Sequence, residues 1–237
     1  MHKEFSSPPA KPSLFDRLLA SKEPERRTTE EYHRLVKQYY DGPAGWFTVV
    51  TGVLTGHETL ACRIMGPHGF DIRGCKRVLD AGCGNGRYLR VLLRLADAGA
   101  TLIGCDLSQG MLRRARRRLT NDRPFLLATD LRQLPYREGS FDAAVCGWVL
   151  EHLQDMRLGL RELARVLRPG GKLLVLTTER TLTGAICSRI YHSRTTHRAD
   201  LRAACTECGL EWHRELWWSS LHRVLGLGGI VVELRKT

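Results

Sequence analysis

Residues 78–89, VLDAGCGNGRYL, constrain the fold of this chain more than any other part of the sequence. Apolar and small residues end in Asp80, glycines follow at positions 82, 84 and 86, and a helical pattern begins beyond them. This order predicts a buried strand, a tight turn and the start of a helix. Glycine has no Cβ, so the turn can bring its backbone close to a ligand beside the N-terminus of a helix. The pattern is typical of a nucleotide-type site.

The charge of this turn helps to decide which ligand it suits. A dinucleotide site sets a pyrophosphate on the helix N-terminus and needs a small residue at the third position of its glycine motif. Arg87 takes that position here, and Asp80 would repel a phosphate. A cationic ligand fits better, and S-adenosylmethionine carries both an ammonium and a sulfonium group. A turn that binds no ligand stays open at this point, because short glycine motifs also occur by chance.

Length and charge restrict the kind of protein. A chain of 237 residues allows one sizeable α/β domain with an N-terminal extension. The net charge of +12 suggests an anionic partner, either nucleic acid or an acidic membrane surface. The sequence contains no run of 18 apolar residues, so it predicts no membrane span, and residues 1–13 lack the pattern of a secretion signal. We therefore expect a cytoplasmic protein whose eight cysteines are reduced.

Strands and helices alternate regularly after residue 77, which predicts a parallel sheet. Helices are expected at 13–20, 29–40 and 198–208, and strands at 77–80, 101–106, 125–129, 143–149, 172–178, 211–218 and 228–236, with further helices between the first five strands. The last two strands have no long crossover between them, so we expect them to pair antiparallel at the sheet edge. The predicted fold class is α/β, with a Rossmann-like, seven-stranded, mostly parallel sheet, helices on both faces and an antiparallel edge hairpin.

Three consecutive strands are followed by, or end in, an aspartate: Asp80, Asp106 and Asp130. Ligands of open α/β sheets bind outside the carboxyl ends of the strands, where these acids would meet. Asp106 lies 20 residues after Gly86, the spacing at which an acid accepts hydrogen bonds from a ribose diol. Together the three carboxylates predict a negative crevice that suits an adenosine with a cationic tail.

From Asp80 to Gly171 the sequence resembles the class I S-adenosylmethionine-dependent methyltransferases in the content and the order of its motifs. The resemblance implies that VLDAGCGNG wraps the methionine part of the cofactor, that Asp106 takes the ribose hydroxyls and that Asp130 meets the adenine amino group. The expected cofactor-binding residues are Asp80, Gly82, Cys83, Gly84, Asp106, Leu107, Met111, Asp130, Leu131, Cys146 and Tyr40. Residues 71–237 would form the methyltransferase domain, and residues 1–70 an N-terminal extension with a helical substrate cover.

The segments GCDLSQGML, TGVLTGHETLACR and GGIVVELRK also look like the quinone-biosynthesis C-methyltransferases, whose acceptors are membrane-soluble prenylated phenols. The chain departs from them at WVLEHL, which has the form found in methyltransferases of other small molecules. The expected partner is therefore a small acceptor, quinone- or phenol-like and lipophilic, with peripheral contact to an anionic membrane. Other lipids, polyketides and phenolic metabolites remain open as acceptors.

Methyl transfer from a sulfonium is an in-line displacement, so much of the catalysis can come from positioning and from the exclusion of water. A phenolic acceptor must also lose a proton, and histidine is the usual base near neutral pH. His152, just after the fourth strand, is the candidate base, although a histidine that bonds locally at the start of a helix would look the same. Tyr40 and Trp46 either close over the cofactor or pack in the core.

Other functions compete with this interpretation. The net charge and the basic run at 113–118 would suit an RNA methyltransferase, but the chain lacks an N-P-P-Y motif and any recognisable RNA-binding module. A cofactor-binding subunit without catalysis and an NAD-dependent oxidoreductase are further alternatives. Cys205 and Cys208 have the spacing of a zinc half-site but also fall on one helical stripe, so no metal is expected. Trp217 and Trp218 suit either a membrane interface or a buried edge strand.

Overall fold

The computed structural model describes residues 29–42, 57–119, 124–191, 193–225 and 229–237. The strands are β1 Arg77–Ala81, β2 Thr101–Asp106, β3 Phe125–Ala128, β4 Phe141–Gly147, β5 Leu167–Thr177, β6 Leu210–Glu215 and β7 Ile230–Lys236. The helices of the described residues are α1 Thr29–Asp41, α2 His57–Ile64, α3 Arg87–Leu95, α4 Gln109–Arg118, α5 Met156–Val166, α6 Leu182–Tyr191, α7 Arg198–Glu207 and α8 Ser220–Leu225. The helix expected at 13–20 and the residue Trp46 lie outside the described residues.

The seven strands form one sheet in the order β3-β2-β1-β4-β5-β7-β6. Strands β1 to β5 are parallel, and β7 pairs antiparallel with both β5 and β6. This arrangement confirms the predicted α/β, Rossmann-like class with its antiparallel edge. The strand order reverses between β1 and β4, and ligands of such sheets bind at that reversal, outside the carboxyl ends of the strands.

Alternate residues of the strands pack into two separate cores, one on each face of the sheet. In β1, Val78 contributes to the core that includes α2, α3 and part of α4, while Leu79 contributes to the core that includes α5 and α7. In β4, Val145 and Cys146 divide in the same way. Helices therefore cover both faces of the sheet, as predicted, and the loops at its carboxyl end are left to form a site.

Some boundaries differ from the prediction for identifiable reasons. Strand β4 ends at Gly147, before the predicted 149, because Trp148 adopts a φ of 62° and a single 3-10 turn, Leu150–His152, follows. Strand β5 begins five residues earlier than predicted, because Leu167 already pairs with Phe141 across a register shift. Helix α2 before the sheet, and helices α6 and α8 after β5 and β6, were not predicted from the sequence.

The discounted motifs near the end of the chain lie in packed structure. Cys205 is buried in a core cluster with Leu201, and the described residues contain no cluster of three His, Cys, Asp or Glu that could hold a metal ion. Trp218 is buried, while the half-buried Trp217 lies 5.5 Å from the guanidinium of Arg198. Among the described residues, no helix is long and apolar enough to cross a membrane.

Candidate active site

A cavity of about 370 Å³ opens at the carboxyl ends of β1, β2 and β4. Its size is that of a site for a cofactor or small molecule. The cavity brings together nine of the predicted cofactor residues: Tyr40, Gly82, Cys83, Gly84, Asp106, Leu107, Met111, Asp130 and Leu131. The candidate base His152 lines the same cavity. The other two predicted residues, Asp80 and Cys146, are fully buried beneath the surface and are not part of the lining.

The glycine turn is held by β2 and requires glycine at its first position. The backbone amides of Gly82 and Cys83 both donate to the carbonyl of Cys105, at 2.7 and 2.8 Å. Gly82 has a φ of +76°, which other residues rarely adopt, and an added Cβ would lie 2.1 Å from Cγ2 of Val149. The turn can therefore pass close to Val149, just after β4, only because Gly82 has no side chain.

We expect Gly82→Ala to destabilise the protein by about 2 kcal/mol more than Gly74→Ala, because the alanine must both strain the backbone and displace Val149. Gly74 is a matched control: its φ is +77°, but an added Cβ there would meet nothing within 4 Å. Urea unfolding of the two variants measures the difference. Equal losses would show that backbone strain alone, and not the approach to Val149, makes glycine necessary at position 82.

Asp106 organises the turn and the following loop at the edge of the cavity. One carboxyl oxygen accepts a hydrogen bond from the amide of Gly84 at 2.8 Å, and the other accepts from the amide of Ser108 at 2.8 Å. Burial raises the pKa of Asp106 to about 6, although both hydrogen bonds act to lower it. Each carboxylate oxygen has a further lone pair for a ligand. The geometry therefore suits the predicted contact with a ribose diol.

Asp80 lies directly below the glycine turn and is fully buried. Neither of its carboxyl oxygens has a hydrogen-bond partner among the described residues. Burial and, to a smaller extent, the nearby charge of Asp106 raise its pKa to about 8, while the backbone amide of Leu89 acts to lower it. A buried, unpartnered acid beside a second acid favours a cation in its neighbourhood. This is the observation by which the site fits a ligand that carries positive charge.

Asp130 is already engaged within the protein. Its carboxylate makes a two-pronged ion pair with Arg132, at 2.7 Å between Oδ2 and Nη2, and also accepts from the backbone amide of Arg132. The ion pair fixes the side chain where Thr129 and Leu131 also reach the cavity. The contact of Asp130 with adenine stays a prediction. In that contact, the Asp130 carboxylate would bind the base and keep its ion pair with Arg132.

Helix α1 ends against the N-terminus of α4, beside the cavity. Asp41 accepts hydrogen bonds from the hydroxyl of Ser108 at 2.5 Å and from the amide of Gly110 at 2.8 Å. Arg114 donates to the carbonyls of Tyr40 and Gly42, at 2.8 and 3.2 Å. An added Cβ on Gly110 would lie 2.7 Å from the Asp41 carboxylate, so glycine is what allows the two helices this close. These contacts fix the position of Tyr40 over the cavity.

The Tyr40 hydroxyl lies 3.0 Å from Nε2 of His152, and the two rings meet edge to face. Burial raises the pKa of Tyr40, so its hydroxyl keeps its proton at neutral pH. Either Tyr40 donates to His152, or Nε2 carries the proton and donates to Tyr40, depending on the tautomer of the ring. The structure thus places the candidate base in a defined orientation at the cavity wall.

Glu151, next to His152, is a buried acid that sequence analysis missed. Its two carboxyl oxygens accept hydrogen bonds from the hydroxyls of Thr177 and Thr178, at 3.1 and 2.8 Å. Burial raises its pKa to about 7, even though these hydrogen bonds act to lower it. Glu151 and Thr178 both line the cavity. The wall after β4 and β5 therefore holds an acid and a histidine side by side, a combination suited to holding or moving a proton.

The backbone between β4 and this wall is strained. Trp148 has a φ of 62°, and it is the sole non-glycine residue with positive φ in the described part of the chain. Its indole nitrogen donates to the hydroxyl of Tyr88 at 3.0 Å, while an added Cβ on Gly147 would strike the Tyr88 ring. Such strain is often kept at functional sites, because the surrounding structure holds it in place. Here it turns the chain so that Val149, Glu151 and His152 face the cavity.

Other cavity residues could not have been assigned from the sequence. Asn85, Cys187, Tyr191 and Ser193 line the cavity but were not among the predicted site residues, and only Asn85 lies within a motif expected to contact the ligand. Asn85 is buried, and its amide nitrogen has no hydrogen-bond partner among the described residues. In the sequence, the position of Asn85 inside the glycine turn was the one sign that it could belong to the site. The other three lie on or just after α6, whose position over the cavity depends on tertiary packing.

The fold, with an acidic rim at the strand reversal, is that of a doubly wound α/β domain, a class in which nucleotide-type ligands bind at this edge. Residues 79–175 match a family model described as "Methyltransferase domain". The segment they span runs from β1, before the glycine turn, almost to the end of β5. This part of the chain, about two fifths of its length, is therefore similar to a methyltransferase domain.

The curated relatives that the chain matches include two demethylmenaquinone methyltransferases. The protein from Corynebacterium kroppenstedtii is 34% identical over 150 residues, which cover 63% of this chain and 62% of that protein. The protein from Paenarthrobacter aurescens is 32% identical over 152 residues, which cover 63% of this chain and 57% of that protein. The chain thus aligns with about three fifths of the length of these relatives.

Solved structures with the same fold include proteins with different activities. Magnesium protoporphyrin IX methyltransferase from Synechocystis PCC 6803, solved with bound SAM, has a TM-score of 0.64 at 19% identity, covering 87% of this chain and 97% of that one. The [4+2]-cyclase SpnF has a TM-score of 0.64 at 20% identity, covering 86% of this chain and 96% of that one. At such identities the likeness concerns the fold, and the activity must be argued from the site.

Proposed function

We propose that the protein transfers the methyl group of S-adenosylmethionine to a small, lipophilic acceptor of the quinone or phenol type. The observation that carries this proposal is one cavity in which the acidic, glycine-rich rim of β1 and β2 meets the wall formed by Glu151 and His152. The rim suits a cationic adenosyl cofactor, and the wall suits an acceptor that must lose a proton. The match to demethylmenaquinone methyltransferases supports a quinone-type acceptor.

The chain offers a specific group for each part of the cofactor. Asp106 would accept hydrogen bonds from the ribose hydroxyls, and the turn from Gly82 to Gly84 would lie against the amino acid part. Asp80, below the turn, has a raised pKa in the ligand-free protein, and the positive charge of the ligand would favour its ionised form. Asp130 and Leu131 would border the adenine. When bound, S-adenosylmethionine supplies an electrophilic methyl group on a sulfonium with a good leaving group.

The residues on the opposite wall would prepare the acceptor. His152, oriented by the Tyr40 hydroxyl, would take the proton of a phenol and raise its nucleophilicity. Glu151, held by two threonine hydroxyls, would bind a second oxygen of the acceptor or stabilise the charge on His152. Helix α1 covers this wall and limits the access of water, which favours a displacement between a charged donor and an activated oxygen or carbon.

We expect His152→Gln to lower kcat about 10- to 100-fold while the affinity for S-adenosylmethionine stays within about twofold, because the variant loses the base and keeps the cofactor rim. Tyr40→Phe removes the orienting hydroxyl alone, so a smaller loss of kcat is expected. Steady-state kinetics with a soluble phenolic acceptor and calorimetric titration of the cofactor measure the two quantities. A His152→Gln variant with wild-type kcat would show that this histidine has only a structural role.

The acceptor class is tested by incubating the protein with radiolabelled S-adenosylmethionine and a cell extract, then separating lipid, aqueous, RNA and protein fractions. Label in the lipid fraction is the expected result. Label confined to RNA would overturn the proposed acceptor and favour an RNA methyltransferase, for which the net charge of +12 is the sequence argument. Binding of the cofactor without transfer to any fraction would favour a non-catalytic subunit.

A further inference from the structure

Helix α6 exposes its large aliphatic residues to solvent and buries its small ones. Its large aliphatic residues Leu182, Ile186 and Ile190 follow one another every four positions and are 58%, 51% and 46% exposed. The residues that α6 buries are the small ones, Gly184, Ala185 and Ser188. Helices on the surface of water-soluble proteins normally turn their large apolar residues inward. The outward stripe therefore indicates a surface that meets an apolar phase or partner.

Helix α8 adds a second apolar segment at the same end of the sheet. Leu221 and Val224 are 64% and 77% exposed. Helix α6 begins five residues after β5 ends at Thr177, and α8 ends five residues before β7 begins at Ile230. Thr177 and Ile230 are themselves paired in the sheet, so both helices are tethered to one point of its carboxyl edge. Two segments far apart in the chain thus present aliphatic side chains beside the same edge.

The charges on these helices favour a negatively charged partner. Arg189 on α6 and Arg223 on α8 are exposed, and neither helix contains an aspartate or a glutamate. The whole chain has a net charge of +12. Aliphatic side chains flanked by arginines, without acids between them, combine the two attractions by which a protein adheres to an anionic bilayer.

Helix α6 also connects this surface to the cavity. Cys187 and Tyr191 line the cavity wall, while their neighbours Ile186 and Ile190 lie in the exposed stripe. The hydroxyl of Tyr39 on α1 donates to the carbonyl of Ile190 at 3.3 Å, so α6 lies next to the helix that covers the cavity. A bilayer bound here would lie close to the mouth of the site.

We propose that α6 and α8 form a docking surface for an anionic lipid bilayer. This surface goes beyond methyl transfer and does not depend on it. The contact is peripheral: aliphatic side chains of both helices enter the outer part of the bilayer, and Arg189 and Arg223 lie at the level of the phosphates.

The test is flotation of the full chain with vesicles, without cofactor. We expect the protein to float with vesicles of phosphatidylcholine mixed with phosphatidylglycerol, to bind pure phosphatidylcholine at least tenfold more weakly, and to dissociate as salt is raised. The double variant Leu182→Glu, Ile186→Glu should lose at least tenfold in binding to the anionic vesicles. Neither residue lines the cavity, so thermal unfolding and cofactor titration of this variant should match the wild type.

Leu158→Glu is the matched control, because Leu158 is an aliphatic residue on α5, 40% exposed, outside the two helices. It should bind vesicles like the wild type. Three results would overturn the proposal: no binding of the wild type to anionic vesicles, equal binding of the double variant, or an equal loss in Leu158→Glu. If the aliphatic stripe instead joins two copies of the chain, the wild type should form a dimer in light scattering and bind no vesicles. The double variant should then be monomeric. Methyl transfer can fail in the assay above without affecting any of these measurements.

Discussion

Asp106→Ala is expected to weaken the binding of S-adenosylmethionine by at least about a hundredfold. Its carboxylate would accept a hydrogen bond from each of the two ribose hydroxyls, and two such charge-assisted hydrogen bonds together are worth roughly 3–5 kcal/mol. The substitution also removes the acceptor that holds the amides of Gly84 and Ser108 in place. Loss of the ligand contact and loss of the loop geometry act in the same direction. Calorimetric titration of the purified protein measures the change.

Asp97→Ala is the control for this experiment. Asp97 is an exposed acid whose carboxylate accepts from the amide of Gly74, away from the cavity lining. Asp97→Ala removes one negative charge, as Asp106→Ala does. A general electrostatic effect on a cationic ligand would therefore appear in both variants. Affinity should fall in Asp106→Ala and stay within about twofold of the wild type in Asp97→Ala. Unchanged affinity in Asp106→Ala would refute the assignment of the ribose site.

The second large effect is on stability, and its sign is opposite to that of most substitutions of buried residues. We expect Asp80→Asn to stabilise the ligand-free protein at pH 8.5 by about 3 kcal/mol while it weakens cofactor binding. Asp80 is fully buried, and its carboxyl oxygens have no hydrogen-bond partner among the described residues. Ionising it inside the protein is costly, and asparagine has nearly the same shape without that cost.

The pH dependence follows from the direction of the shift. Burial raises the pKa of Asp80 to about 8 in the folded chain, from an ordinary value of 3.8. The folded state therefore holds the proton more tightly, and stability that is present below about pH 4 is lost as the pH rises towards 8. The advantage of Asp80→Asn should be absent near pH 4 and grow up to about pH 8. Urea unfolding at a series of pH values without cofactor measures it.

Asp142→Asn provides the contrast, because Asp142 is an acid with partners. Its carboxylate accepts from the amides of Lys76 and Arg77, each at 2.8 Å, and from the guanidinium of Arg168 at 2.7 Å. Both carboxyl oxygens of Asp142 accept hydrogen bonds, so the NH₂ group of an asparagine would face a donor at one of these positions. Asp142→Asn should therefore be less stable than the wild type at pH 8.5. If Asp80→Asn were destabilising at the same pH, the buried carboxyl would have to be bound by a partner in the folded chain.

The relation of sequence to site is clearest at the glycine turn. The run from Asp80 to Gly86 predicted a strand, a turn and a helix because backbone constraints on glycine are local and act over a few residues. Asp106 at the end of β2 and Asp130 after β3 could be placed at the same edge because parallel strands all point the same way. Glu151 escaped notice because its importance comes from burial against Thr177 and Thr178, which lie 26 and 27 residues further along.

The sequence by itself determined the α/β class, the order of the strands along the chain and the acidic, glycine-rich rim, since all of these follow from hydrophobic period and local backbone preference. Only the tertiary structure decided that Tyr40 meets His152 across 112 residues, that Asp80 is fully buried, and that α6 turns its large residues outward. Each depends on which surfaces come together when the elements pack. A period in the sequence predicts that a helix has an apolar face, but packing alone decides whether that face is buried.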